Sequence, residues 1–432
     1  MKKVLILLSL AIFAVSCTEK PALPGTDGDP ADAFDVMPPA PSEGLSHLSL
    51  SLVQQRYVQA GNNLSFKLLK QLARETATTY VCSPLSLQLA LAMLANGTAG
   101  ETQAEILAAL GYGEEGVGAL NQYAKILIDQ LPALDLDVTI RPADALLVTD
   151  KYPLKAAFGN ALRDFFYAPA ASMSFTDGNA VMNLVNDWAS RSTEGLINPM
   201  LDEVDPNTVA LLLNALYFKA KWQEIGGTPM FDPQATAAGP FYRAGGTEVT
   251  VSYMTTMQSF HYADMGKYEI VSVPYASGKF YLHILLPKDN NLYPMLDDLV
   301  SASWGELSTG LAQESKRVRL YLPKFDISGD FNLNIALGGL GIRRIFDESQ
   351  ARFDPMFDVE RHGFYVSRVL QKARLSMAEW GTEAAAVTAV EVTEKSLPEP
   401  DVIVKADHPF LFVIAGTGVD APILFGGVYT GV

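Results

Sequence analysis

Residues 82–97, CSPLSLQLALAMLANG, constrain the fold more than any other stretch. Ser83 is placed to cap a helix, Pro84 suits its first position and Gly97 its end. Leu85, Leu87, Leu89, Leu91, Met93 and Leu94 project in every direction around that helix. A helix apolar on all sides has no face to give to water, so it must lie inside the protein. A chain of 432 residues, 49% of them hydrophobic and 19% charged, can bury a core large enough to enclose it. Cys82 beside this helix reads as a small core residue rather than a reactive thiol.

The run VALLLNALYFKAKW (209–222) suits a central strand buried on both faces. FYLHILLPKD, VRLYLPKFDIS, VIVKADHPFLFVIAG and APILFGGVYTG read as further strands with turn-forming ends. Helices dominate early and strands late, which predicts an α+β arrangement with a mixed sheet packed on helices. From residue 46 onward there is no second linker and no repeat, so 46–432 is expected as one domain.

The N-terminus looks like an export signal. Lys2 and Lys3 precede an apolar run, 4–15, too short to span a bilayer. Ala14-Val15-Ser16-Cys17 resembles the lipobox of bacterial lipoproteins, with Ala14 in place of the usual Leu. Residues 1–16 are thus expected as a cleaved signal and Cys17 as the lipidated first residue; an ordinary signal with an incidental Cys is the alternative. Lipid there would tether the chain to a bacterial membrane, facing periplasm or exterior. Residues 18–45 are rich in Pro, Gly and acid and are expected as a disordered spacer.

Lys plus Arg total 32 against 48 Asp plus Glu, a net charge of −16. Such a chain is a poor electrostatic partner for nucleic acid or anionic lipid. The histidines, His47, His261, His283, His362 and His408, fall at no metal spacing, and there is no HExxH, GxSxG or phosphate-binding Gly loop. No metal, cofactor or catalytic residue is nominated. With Cys17 and Cys82 the only cysteines, the mature body has no internal disulfide.

One segment is ambiguous: EWGTEAAAVTAVEVTEKSLPEP (379–400) mixes helix-favouring Ala, strand-favouring Val and Thr, and a loop-like end. Even positions Thr382, Ala384, Ala386, Thr388, Val390 and Val392 are all uncharged and small or β-branched, while Glu383 and Glu391 are odd. A strand would send the even set into a core and leave both acids in water. An ordinary strand or an Ala-rich helix would also fit the pattern.

At this point the sequence resembles the serpins, on CSPLSLQLALAMLANGTAGETQAEIL, LLLNALYFKAKW, VRLYLPKFDIS, GTEAAAVTAV and VIVKADHPFLFVI, in that family's order and from residue 46 to the C-terminus. The resemblance implies three β-sheets surrounded by about nine helices, an exposed reactive loop, and a monomer that inhibits serine proteases as a suicide substrate. The target enzyme would attack the loop, become a covalent acyl-enzyme, and be trapped as the loop inserts into the main sheet. A non-inhibitory binding or storage role, or inhibition of elastase-like or cysteine proteases, is the alternative. The hinge would comprise Gly381, Thr382, Glu383, Ala384, Ala385 and Ala386. Counting as in antitrypsin-like serpins from Glu379 places the reactive bond at Lys395-Ser396, which suits a trypsin-like enzyme; Glu394 beside it leaves cleavage after Val392 or Thr393 open. The shutter, where the main sheet parts, would comprise Ser83, Ser86, Asn214 and Gln371. Thr79 and Gln371 depart from the commoner Asn and His. Since Gln cannot charge, opening is expected to vary less with pH than with His. Trp222 resembles the tryptophan where the loop enters. Heparin is not expected as a partner, because GETQAEILAALGYGEEG after the apolar helix is acidic.

Overall fold

Pro84–Ala95 is a helix in which every residue but Gln88 is buried. Ser83 caps it by accepting from the Ser86 N–H. The computed structural model describes residues 30–113, 115–357, 363–382, 399–418 and 420–431. Residues 1–16, Cys17, His362, Glu383, Ala384, Ala385, Ala386, Lys395 and Ser396 lie outside the described residues.

The described chain opens with α1 (Pro30–Ala33), α2 (Leu52–Glu75), β1 (Tyr80–Cys82), α3 (Pro84–Ala95), α4 (Gly100–Leu110) and α5 (Gly116–Gln130). Then come β2 (Val138–Thr149), α6 (Ala156–Phe166), β3 (Ala170–Met173), α7 (Gly178–Ser192) and β4 (Ala210–Lys221). The run richest in strands follows: β5 (Ala237–Tyr242), β6 (Glu248–Asp264), β7 (Tyr268–Pro274), β8 (Tyr281–Pro287), α8 (Leu292–Ser301), α9 (Trp304–Leu311), β9 (Ser315–Pro323) and β10 (Phe325–Asn332). Last are α10 (Asn334–Gly339), β11 (Arg368–Ala378), β12 (Gly381–Thr382), β13 (Val402–Lys405), β14 (Phe410–Ala415) and β15 (Ile423–Tyr429). Among the described residues nine helices accompany the four-residue α1, and helices do precede most strands.

A six-stranded sheet runs β10-β11-β12-β4-β2-β3. The other strands form one network, β1-β15-β14-β8-β7-β6-β9-β13, with β5 on β6. Three sheets were expected, and hydrogen bonding gives two networks for a simple reason. β6 is 17 residues long; its first part pairs with β5 and β9 and its last residues, from His261, with β7. One strand thus belongs to both halves of the larger network.

β4 is the central strand that its continuous apolar run predicted. Its even residues Leu212, Leu216 and Phe218 enter the main core with α3, while Leu211, Leu213 and Ala215 enter a second core with Val181, Val185 and Trp188 of α7. The period of two along a strand produces both contacts at once.

Residues 30–45 do not all behave as the expected spacer. Phe34 is 1% exposed, stands edge-on to Trp188 at 6.2 Å, and its carbonyl accepts from Arg191 Nη2 at 3.2 Å. A lone aromatic in a Pro-rich, acidic segment creates no periodicity, yet its ring area is enough to seat the chain on α7.

Candidate functional site

β4 and β11 lie side by side and parallel, but they pair only through four residue pairs, from Arg368↔Leu211 to Gln371↔Asn214. Further along, β12 lies between them, with Thr382 opposite Met377 on one side and Ala220 on the other. Among the described residues no strand pairs with the facing edges of 215–219 and 372–376. Among the described residues the main sheet therefore contains a slot between two strand edges, and unpaired edges are templates for a further strand.

The upper end of the slot is built around an aromatic stack. Trp222 and Tyr275 lie with ring centroids 4.5 Å apart at 11°. Trp222 Nε1 donates to the Ala378 carbonyl at 2.8 Å, and the Trp222 N–H donates to the Trp380 carbonyl at 3.2 Å. This ties the end of β11 to the end of β4. Tyr275 Oη and Thr382 Oγ1 are 2.8 Å apart, so Thr382, fully buried, is fixed inside the sheet as the second residue of β12. Gly381 has φ +136°, and a Cβ there would collide with the Ala220 carbonyl oxygen; only glycine makes this turn. Just before it, Glu379 is held by Lys324 Nζ at 2.9 Å and Thr236 Oγ1 at 2.8 Å. Burial would raise the Glu379 pKa, but Lys324, the backbone and Thr236 together hold it below the ordinary value.

The four-pair seam closes the lower end, and a polar chain crosses it. Gln371 Oε1 accepts from the Ser83 N–H at 3.0 Å. Gln371 Nε2 donates to the Ser83 carbonyl at 2.8 Å and to Asn214 Oδ1. Asn214 Nδ2 donates to Ser86 Oγ and to Asp144 Oδ1. Ser83 Oγ donates to the Leu424 carbonyl at 2.9 Å, and Ser86 Oγ to that of Ala215 at 2.8 Å. Ser83, Ser86, Asn214 and Gln371 are each fully buried. Parting β4 from β11 must break the Gln371–Asn214 contact, a side-chain link directly across the seam.

A family model described as Serpin (serine protease inhibitor) matches residues 59–430. The chain belongs to the serpin family. Iripin-2 of Ixodes ricinus is 31% identical over 395 residues, covering 89% of this chain and 96% of that protein. The native-state structure of the thermophilic serpin tengpin superposes with TM-score 0.78 at 26% identity, covering 91% and 97% of the two chains. The structure of human thyroxine-binding globulin with its ligand gives TM-score 0.75 at 26% identity, covering 87% and 98%.

In this serpin the structure brings Ser83, Ser86, Asn214 and Gln371 into one network and places Gly381, Thr382 and Trp222 together at the other end of the slot. Thr79 stands apart: its Oγ1 accepts from the Thr430 N–H at 2.9 Å, outside the network. His283 is a core histidine, its Nδ1 2.8 Å from Ser272 Oγ. Both residues are fully buried, so no substrate carbonyl reaches that pair; burial pushes the His283 pKa down to about 3. Burial also drives the Cys82 thiol pKa upward, in keeping with a core residue.

Sequence reasoning missed Asp144, 6% exposed and bonded to Asn214. The signal was present: Asp144 shares the parity of Val138, Ile140, Leu146 and Val148, all core-facing residues of β2. Gln371 cannot charge, but this acid in the same network can. Burial raises its pKa well above the carboxylate range, and hydrogen bonds from Asn214 and Ser86 pull it only partly back. An unfolded Asp ionises near pH ~3.9. The folded state therefore holds the proton more tightly, so this group makes stability fall as pH rises from that point toward the raised folded value, with the full penalty above it. Asp144→Asn keeps an acceptor oxygen for Asn214 and is expected to flatten this decline. Its gain over the parent in denaturant unfolding should reach about 1 kcal/mol or more at pH 8 and shrink at pH 5; an equal offset at both would contradict the assignment.

Proposed function

We propose that this serpin inhibits trypsin-like serine proteases as a suicide substrate. The protease serine attacks the Lys395 carbonyl, the Lys395-Ser396 peptide bond breaks, the Ser396 amine leaves with a proton, and Lys395 remains as an acyl ester on the enzyme. The freed segment then enters the slot between β4 and β11 before water cleaves the ester. Serpin loop insertion is itself a standard instance of strand addition to a sheet. The observation that carries this reading is Thr382, seated between Ala220 and Met377 at the mouth of the slot, followed in sequence at every second position by Ala384, Ala386 and Thr388. Small uncharged side chains can enter a packed sheet without steric or desolvation cost of the kind Arg or Glu would impose.

Lys395 favours an acidic specificity pocket, and the neighbouring Glu394 keeps cleavage after Val392 or Thr393 by an elastase-like enzyme as the competing assignment. A binding role is the second reading, favoured by the likeness to thyroxine-binding globulin. The protein lacking residues 1–29 is to be incubated with trypsin and with an elastase, then resolved on denaturing gels with mass spectrometry of the released peptide. A covalent complex with trypsin and release at Ser396 is the expected result. Clean cleavage with no complex would favour the binding role, and a complex with elastase alone would move the bond.

We propose also that the protein is an exported bacterial lipoprotein anchored through Cys17, as the residues before that cysteine suggest. Mass spectrometry of the mature N-terminus should find a diacylglyceryl-modified Cys17, and a mature terminus beyond Cys17 would refute it.

A further inference from the structure

We propose that the cavity at the foot of the six-stranded sheet is a binding site for a small dipolar ligand, one that carries a free carboxylate and a free ammonium, as an amino acid or a short peptide does. Its volume is about 460 Å³, within the range of small-molecule sites. It lies where β4 and β11 begin. One wall is the connection from α7 into β4, with Glu203, Asp205 and Thr208; the other is the approach to β11, with Tyr365, Ser367 and Arg368.

Backbone hydrogen bonds fix these walls. The Ser367 N–H donates to the Ala210 carbonyl at 3.1 Å, the Val209 N–H to Ser367 Oγ at 2.9 Å, and the Thr208 N–H to the Asp205 carbonyl at 2.9 Å. Asp205 Oδ1 also accepts from the Asn207 N–H at 2.8 Å and from Asn207 Nδ2 at 3.1 Å. A ligand therefore meets a cavity already shaped, and little ordering has to accompany binding.

The charges in the cavity are less well served. Arg368 is partly buried, and among the described residues nothing bonds or pairs with its guanidinium; Nη2 is buried outright with no partner. A guanidinium kept from water gains most from a carboxylate, which accepts from two of its N–H groups in parallel. Glu203 and Asp205 line the same cavity and leave it unpaired. Glu203 is exposed and has no partner of its own among the described residues. One cavity thus holds a cation and an anion that do not meet. A simple anion on Arg368 would face both acids, and a simple cation on the acids would face Arg368. A dipolar molecule meets each charge with its opposite, its carboxylate on Arg368 and its ammonium on Glu203.

The test is urea unfolding of the protein at low salt with glycine, triglycine, acetate, or triglycine blocked at both ends. Above the dissociation constant of a dipolar ligand, each tenfold rise in its concentration should lower the unfolding constant about tenfold. Arg368→Gln should weaken that response about tenfold or more. Glu203→Gln, a change at an exposed loop residue, should bring acetate level with glycine, whereas in the parent glycine should be the stronger; this contrast decides alone if the Arg368 variant does not fold. A response to glycine only, or to triglycine only, supports the site and names the source of its ligand. No response to either would overturn the proposal. Equal stabilisation of parent and variants by glycine would be general exclusion from the protein surface and would overturn it too, as would blocked triglycine that acts as well as the free peptide.

Discussion

Ala384→Arg is expected to abolish protease capture while leaving loop cleavage at its normal rate. On insertion, the register set by Gly381↔Lys221 and Thr382↔Ala220 would bring position 384 between Phe218 and Leu375, both in the main core. No acid of the described network lies there to meet a guanidinium; Asp144 sits further down, at Asn214. An unpaired charge forced into such a place costs several kcal/mol, and each ~1.4 kcal/mol on the insertion barrier slows it about tenfold against a fixed rate of ester hydrolysis. The yield of covalent complex on denaturing gels should therefore fall about 100-fold or more, with the variant turned over as an ordinary substrate. Ala384→Ser, small and uncharged, should retain capture. Undiminished complex formation by the Arg variant would mean that position 384 never enters the core.

The sequence showed this architecture where one local rule decided the outcome. α3 is buried because leucines surround it, and β4 is central because its apolar run leaves no face for water. Ser83, Ser86, Asn214 and Gln371 are far apart in the chain and each is an ordinary polar residue on its own; resemblance pointed to them, and only the pairing of β4 with β11 shows that they touch. Asp144 was legible as an acid in phase with core residues, yet phase alone does not say which amide it meets. Phe34 was hidden by its Pro-rich surroundings, since docking on Trp188 depends on a surface assembled from distant segments. The joining of three expected sheets into two networks was likewise invisible, because the length of β6 does not reveal which strands pair along each part. Arg368 looks like any strand-end cation until its Nη2 is seen to lack a partner.

On the proposed mechanism the slot would give the molecule two folded arrangements of different free energy. An inserted strand continued from Thr382 would meet the open edges 215–219 and 372–376 without disturbing a described strand, and each hydrogen bond formed there would contribute about 0.5–1.5 kcal/mol net. Going further would require the β4–β11 seam to open, including the Gln371–Asn214 contact, and that requirement would set a barrier. On the same mechanism, cutting the loop would free the segment to enter. Guanidinium chloride unfolding of the intact protein against the same protein nicked in the loop, with both fragments retained, tests insertion most directly. The nicked form should unfold at a midpoint higher by about 1 M or more; coincident midpoints, or a lower one after cleavage, would contradict it.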